Sequence, residues 1–222
     1  MAFDIAPYID HTVLKPTTVD ADIVRLCEEA KNNKFAAVCV PPYFINKAVS
    51  FLEGSSVKVT TVIGFPFGYS STGSKLEEIT QAIADGADEL DIVHNMAALK
   101  IRDYNTLEEE MSQCVALAHS EGKVVKVIIE SGVLTDAEVI HCCKLYASLN
   151  VDFVKTSTGY AETGATAHAV RLMRANLPVN IAIKASGGIR NFTFAKELIA
   201  AGATRLGCSA GMQILEESKM AE

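Results

Sequence analysis

The residues best suited to chemistry are two lysines set inside apolar, β-branched runs, Lys155 in VDFVKTSTG and Lys184 in NIAIKASGG. A lysine in a buried strand costs several kcal/mol unless it is neutralised or paired. Side chains alternate along a strand, so Phe153, Lys155 and Ser157 share one face while Val154 and Thr156 share the other. The same alternation puts Ala182, Lys184 and Ser186 opposite Ile181 and Ile183. Two ammonium groups on successive strands then face each other. Burial and a neighbouring like charge both disfavour the cation and move a lysine from about 10.4 towards neutrality, where the free amine attacks carbonyls and forms a Schiff base. The alternative for either lysine is a head group that snorkels to the rim or pairs with a carboxylate. Asp91 in ELDIVHN and Lys126 in VVKVIIE add ionisable groups to strands that otherwise read as buried. Asp91 is placed to pair with one of the lysines and relay protons, or to serve only as a structural ion-pair partner.

Glycines supply a second chemical signal. Ser186, Gly187 and Gly188 follow one strand, and GCSAG, Gly207 to Gly211, ends another just before the last helix. Backbone N–H groups bared by glycine, with a helix N-terminus behind them, suit a phosphate monoester. Ordinary turn punctuation is the alternative reading of SGG. Ser157, Thr158 and Gly159, directly after Lys155, bring further donors to the same end. The segment GYSSTGSK, Gly68 to Lys75, approximates a nucleotide-binding loop, but Ser74 separates its second glycine from Lys75 and the segment reads as a flexible strand-to-helix loop. Cys39, at the end of a strand, either touches substrate or is a small buried hydrophobe. His94 and Asn95 end another strand and are placed to help shape a pocket.

These residues require a repeated scaffold, and short β-rich runs alternating with longer amphipathic segments provide it. Strands are predicted at 8–12, 36–40, 58–64, 89–94, 124–130, 152–157, 180–186 and 205–209. Between them, Ser74 with Glu77, Thr106 with Glu109 and Thr135 with Glu138 fit the capping box of a helix start. Gly86, Gly122 and Gly202 mark helix ends as left-handed caps, and GADELDI resembles GATRLGC at the same junction of the repeat. No linker divides the chain, so residues 1–222 are assigned to one domain. Eight units of about 28 residues approach the minimum for a closed (β/α)8 TIM barrel of the α/β class. An open doubly wound sheet would want a GxGxxG fingerprint, which the sequence lacks.

Composition removes other classes of function. With 49% hydrophobic and 21% charged residues, the chain is expected to pack as a globule. Its formal charge of -7 opposes binding to nucleic acid. Its apolar runs are too short to span a membrane, which needs about 20 residues. Six cysteines without CxxC pairing read as reduced thiols, and scattered histidines give no metal-binding pattern, so neither metal nor cofactor is expected. The N-terminus, MAFDIAPYIDHT, has no basic, apolar leader, and a cytosolic address is expected.

Taken together, YIDHTVLKP, ELDIVHNMAAL, KVIIESGVL, VDFVKTSTGY and IAIKASGGIR resemble the deoxyribose-phosphate aldolase family of class I, Schiff-base aldolases. The resemblance spans essentially the whole chain, and the order and separation of its two lysine segments make it specific. It implies reversible cleavage of 2-deoxy-D-ribose 5-phosphate to D-glyceraldehyde 3-phosphate and acetaldehyde, within deoxyribonucleoside catabolism. By that analogy Lys155 is the nucleophile, Lys184 is the cation that lowers its pKa, and Asp91 relays protons with it through water. Asp10 in YIDHT matches a family acidic position near the sugar, and Gly159, Gly187, Gly188 and Ser209 match its phosphate-binding segments. Cys39 and Lys126 are grouped with these as substrate contacts. The chain departs from some members by carrying Tyr160 in place of a lysine, Ala210 in place of a serine, and a tail, EESKMAE, without a terminal tyrosine. The expected partner is a phosphosugar, and the expected assembly is a homodimer or homotetramer. Other readings are a Schiff-base aldolase or transaldolase with a different donor, and a non-catalytic phosphosugar-binding barrel.

Overall fold

A computed structural model of the chain describes residues 3–221. Eight parallel strands hydrogen-bond in sequence order and close, β8 pairing with β1. They are β1 (Ile9–Thr12), β2 (Ala37–Val40), β3 (Lys58–Ile63), β4 (Glu89–Val93), β5 (Val124–Ile128), β6 (Phe153–Lys155), β7 (Ala182–Ser186) and β8 (Arg205–Cys208). The helices around them are α1 (Asp20–Asn33), α2 (Ile45–Leu52), α3 (Thr72–Ala84), α4 (Met96–Lys100), α5 (Tyr104–Ser120), α6 (Asp136–Ser148), α7 (Ala167–Asn176), α8 (Phe192–Ala200) and α9 (Gly211–Met220). The predicted barrel is the observed one.

Strand alternation divides the interior into two chemically distinct regions. One face carries Val38, Leu90, Val125, Val127, Val154, Ile183 and Leu206, all part of the apolar core that packs beneath the helices. The other turns into the lumen, where Asp10, Thr60, Glu89, Asp91, Lys126, Lys155 and Lys184 are all buried. A TIM barrel ordinarily fills its lumen with branched apolar side chains. Here ion pairs take that place, and the apolar core lies almost wholly outside the barrel wall.

Several local expectations shift. Thr135 caps α6 as predicted, with Glu138 completing the capping box. The other two boxes are displaced by three residues. Ser71 caps α3 and accepts from Ser74 N, while Asp103 caps α5 and accepts from Thr106 N. In each case a short polar side chain one turn upstream takes the capping role, binds the amide of the predicted cap residue itself, and extends the helix. The end of the segment read as a flexible loop, Thr72 to Lys75, is therefore the first turn of α3. Lys75 is buried there, pairing with Glu110 at 2.6 Å and donating to the Val93 carbonyl at 2.9 Å, so its ammonium is committed to the scaffold. Gly86, Gly122 and Gly202 adopt the predicted left-handed conformation at helix ends. β5 and β6 end earlier than predicted. β5 stops before Glu130 turns left-handed at φ 50°, and beyond Lys155 side chains join the backbone pairing, with Thr156 N donating to the Lys184 carbonyl and Ser186 N donating to Thr156 Oγ1. All six cysteines are free and buried.

Candidate active site

Strand register brings the two lysines together. Lys155 on β6 is the direct neighbour of Lys184 on β7, as Asp91 on β4 is of Lys126 on β5. Asp91 lies at the centre of the lumen. Its Oδ2 accepts from Lys155 Nζ and from Lys184 Nζ, each at 2.7 Å, and its Oδ1 accepts from Lys126 Nζ at 2.9 Å. Lys184 also pairs with Asp10 at 2.5 Å, and Arg205 joins Asp10 at 2.6 Å to Glu89 at 3.2 Å. Gly207 on β8 makes room for this arrangement, because a Cβ there would lie 3.0 Å from Lys184 Cε.

The protonation behaviour of these groups diverges. Burial lowers the pKa of Lys155, and the nearby Lys184 ammonium adds to that against the attraction of Asp91. Burial acts on Lys184 in the same sense, but Asp10 and Asp91 overcome it and the net shift is upward. For Asp91, burial would raise the carboxyl, but Lys126, Lys155 and Lys184 together hold it well below the usual range. One lysine is therefore pushed towards the free amine and its neighbour is held as a cation. Burial and a like charge were expected to favour the free amine on both lysines, and only Lys155 is shifted that way.

Access makes the same distinction. A cavity of about 750 Å³ opens at the C-terminal ends of the strands, and Lys155, 3% exposed, forms part of its lining, whereas Lys184 is 0% exposed and lies below it. Ser186, Gly187, Gly188, Gly207 and Ser209 line one side, and Thr158, Gly159 and Tyr160 another. Gly159, Gly187 and Gly188 all have positive φ, at 89°, 87° and 78°. Around them the chain is closely apposed: a Cβ on Gly164 would stand 2.3 Å from the Gly187 carbonyl oxygen, and one on Gly187 would stand 3.0 Å from Gly164 Cα. α9 begins at Gly211, two residues after Ser209 of this lining, and amides bared by glycine near a helix N-terminus are groups that suit an anion.

A family model described as DeoC/LacD family aldolase matches residues 5–217. The chain belongs to that family. It is an aldolase, a carbon–carbon lyase. Proteins named deoxyribose-phosphate aldolase from Thermococcus gammatolerans and Clostridium tetani are 46% and 45% identical to it, over 100% and 97% of this chain and 100% of each relative. A solved deoxyribose phosphate aldolase from Aeropyrum pernix, described as having a unique tetrameric structure, superposes with a TM-score of 0.91 at 32% identity, covering 98% of this chain and 92% of that one.

Within this aldolase the residues expected at the site fall into two layers. Lys155, Gly159, Gly187, Gly188 and Ser209 meet at the cavity. Asp10, Cys39, Asp91, Lys126 and Lys184 are fully buried and stand outside its lining. Asp10, Cys39 and Lys126, grouped in the sequence with the substrate contacts, thus stand behind the residues that line the cavity. Asp10 and Lys126 sit deeper in the barrel and spend their charges on Lys184, Arg205, Glu89 and Asp91. Burial pushes the Cys39 thiol up to about 11, so it stays neutral. His94, considered as a pocket residue, is buried against the Tyr146 hydroxyl at 2.8 Å, and burial drives its pKa down to about 3.

Sequence reasoning missed Lys15 and Arg190, cations that line the cavity from the loops after β1 and β7. It also passed over Glu130. This buried residue takes a left-handed conformation, and its two carboxylate oxygens accept from Thr158 N at 3.3 and 3.2 Å and from the Thr158 hydroxyl. The Thr158 hydroxyl oxygen in turn accepts from Tyr160 N at 3.0 Å, so the carboxylate sets the turn on which Gly159 stands. A glutamate following an unbroken apolar strand in KVIIESG was the available signal. Glu130→Gln leaves one of these bonds badly made, which costs about 1–3 kcal/mol. In steady-state assays it is expected to raise KM for a phosphorylated substrate about tenfold, with kcat changed only a few-fold. An equal fall in kcat would remove the anion-site role.

Proposed function

We propose that this aldolase reversibly cleaves 2-deoxy-D-ribose 5-phosphate to D-glyceraldehyde 3-phosphate and acetaldehyde through a Schiff base on Lys155. The observation that carries the reading is Lys155 itself, a lysine of lowered pKa that alone among the clustered lumen lysines reaches the cavity. Its neutral amine adds to the aldehyde carbon C1, and loss of water from the carbinolamine gives a protonated imine. The C3 hydroxyl loses its proton, the C2–C3 bond breaks, and its electron pair passes into the imine to leave an enamine. Glyceraldehyde 3-phosphate departs. Protonation at C2 and hydrolysis of the imine then release acetaldehyde and regenerate the amine.

In this scheme Asp91 and Lys184 act chiefly as fixed charges. A carboxyl held so low is a weak base and an ammonium held so high is a weak acid. The proton relay implied by the family resemblance therefore falls to water in the cavity, oriented by these charges. The phosphate is assigned to Gly159, Gly187, Gly188 and Ser209, with Lys15 and Arg190 as cations on the same cavity. The names of the curated relatives support this substrate. A cytosolic role in deoxyribonucleoside catabolism follows from it, and no described helix is long and apolar enough to cross a membrane. A homodimer or homotetramer is proposed for the assembly, in keeping with the tetrameric relative.

Borohydride reduction in the presence of deoxyribose 5-phosphate, followed by peptide mapping, tests the chemistry. An adduct on Lys155 that disappears in Lys155→Ala is expected. An adduct seen only with a different donor carbonyl would keep the Schiff base and remove the proposed substrate. Absence of adduct with every aldehyde or ketone tried would remove the mechanism.

A further inference from the structure

Beneath Asp91 lies a second layer of charge that never reaches the cavity. Lys126 Nζ sits 2.6 Å from Glu89 Oε2, the same oxygen accepts from the Thr60 hydroxyl at 2.9 Å, and Arg205 bridges Glu89 to Asp10. The Phe153 ring lies against both cations, with Lys126 Nζ 5.9 Å and the Arg205 guanidinium carbon 5.5 Å from its centroid. Counting both layers, Lys126, Lys155, Lys184 and Arg205 stand against Asp10, Glu89 and Asp91. The lumen holds one cationic group more than it holds carboxylates.

Geometry decides which group gives up its proton. Arginine does not deprotonate in proteins. Lys126 touches two carboxylates, Glu89 and Asp91, and Lys184 touches two, Asp10 and Asp91. Lys155 touches one, and it shares the same Asp91 oxygen with Lys184, because Lys126 occupies the other. We propose that Lys126, Arg205 and Glu89 are positioning residues for the nucleophile: Lys126 occupies one oxygen of Asp91 and with Arg205 supplies the cationic surplus that disfavours an ammonium on Lys155, while Glu89 holds both cations and limits that surplus. This rests on the Schiff-base reading above and extends it from the residues at the cavity to the base of the barrel.

The groups that share the lumen with Lys155 enter the expected pH dependence. They are Asp10 on β1, the Cys39 thiol on β2, the Thr60 hydroxyl on β3, Glu89 and Asp91 on β4, and Lys126 on β5. Lys184 follows on β7 and Arg205 on β8. Glu130, beyond β5, is committed to Thr158, and the Cys208 thiol at the end of β8, pushed up by burial to about 12, is neutral. The thiols and hydroxyl carry no charge, so the count rests on the seven ion-paired groups.

The test is the pH midpoint at which acetaldehyde and cyanoborohydride N-alkylate Lys155, read by intact mass and peptide mapping. The amine adds to the carbonyl, water leaves to give the imine, and cyanoborohydride delivers hydride to the imine carbon. Lys126→Met frees an oxygen of Asp91 and removes the surplus charge, so the midpoint is expected to rise by about one unit, an approximately tenfold slower reaction on its acid side. Glu89→Gln increases the surplus and is expected to move the midpoint the other way. The double variant restores the original surplus and is expected to return the midpoint towards wild type, which simple loss of packing would not do. The Glu89→Gln arm stands alone if Lys126→Met does not fold. Wild-type midpoints in the single variants, or a double variant shifted further in the same direction, would overturn the positioning role while leaving the aldolase reading intact. Failure of the wild type to form any adduct would overturn both.

Discussion

Replacing Lys155 by methionine is expected to lower kcat by at least about four orders of magnitude, as removal of a covalent nucleophile does, and at the same time to raise the thermal midpoint by about 2–4 °C. The two effects have one cause. Lys155 is nearly completely buried, shares an acceptor oxygen with Lys184, and has its pKa lowered chiefly by burial. Between the lowered native value and the ordinary value of an unfolded lysine, the unfolded chain binds more protons than the native one. Stability therefore rises with pH across that window and is lowest below it. A methionine of similar shape removes the buried amine and its titration. Asp91 keeps Lys126 and Lys184, so no carboxylate is stranded. A gain of about 1 kcal/mol fits the trade-off between activity and stability found where a site holds a reactive group. Calorimetry on both proteins between neutral and alkaline pH checks it. A methionine variant less stable than wild type at neutral pH would mean that Lys155 serves as a structural ion-pair partner.

Asp91→Asn is expected to have the largest structural effect, about 3–5 kcal/mol of lost stability together with loss of measurable turnover. Three lysines converge on that carboxylate at 2.7 to 2.9 Å, and two of them, Lys126 and Lys184, are fully buried, where bulk water does not take its place. The amide carries no charge, and its nitrogen presents donors to an ammonium that is itself only a donor. In the native protein the carboxyl is held well below its usual range, with the three lysines outweighing the opposing effect of burial. Its stabilisation is thus fully present above the ordinary carboxylate pKa and is lost as pH falls through the lower native value. Urea unfolding from neutral to acidic pH should show that acid-dependent loss in wild type and a flatter profile in the variant. A midpoint within a few tenths of wild type at neutral pH would contradict the central position given to Asp91.

Much of this was legible because period and composition carried it. An inward Lys155 and Lys184 follow from alternation within FVKTS and AIKAS, since the intervening Val154, Ile183 and Ala185 are apolar and the branched Thr156 suits the same side. Closure into a barrel follows from eight strands at near-equal spacing. The helix starts were less well marked, because Ser71 and Asp103 compete with Ser74 and Thr106 for the same capping role and only the path of the preceding loop selects between them.

What the sequence determined by itself was the fold, the inward lysines and the family, each encoded in local order. What only the tertiary structure decided was how charge is shared across the lumen. Asp10, Glu89, Asp91, Lys126, Lys184 and Arg205 come from five strands, β1, β4, β5, β7 and β8, and their pairings depend on which strands are neighbours and how far each side chain sits along the barrel axis. The difference between Lys155 and Lys184 is of that kind. Both are lysines in similar apolar strands, but one has a carboxylate of its own and the other opens onto the cavity, because electrostatic energy depends on distance in space rather than on separation along the chain.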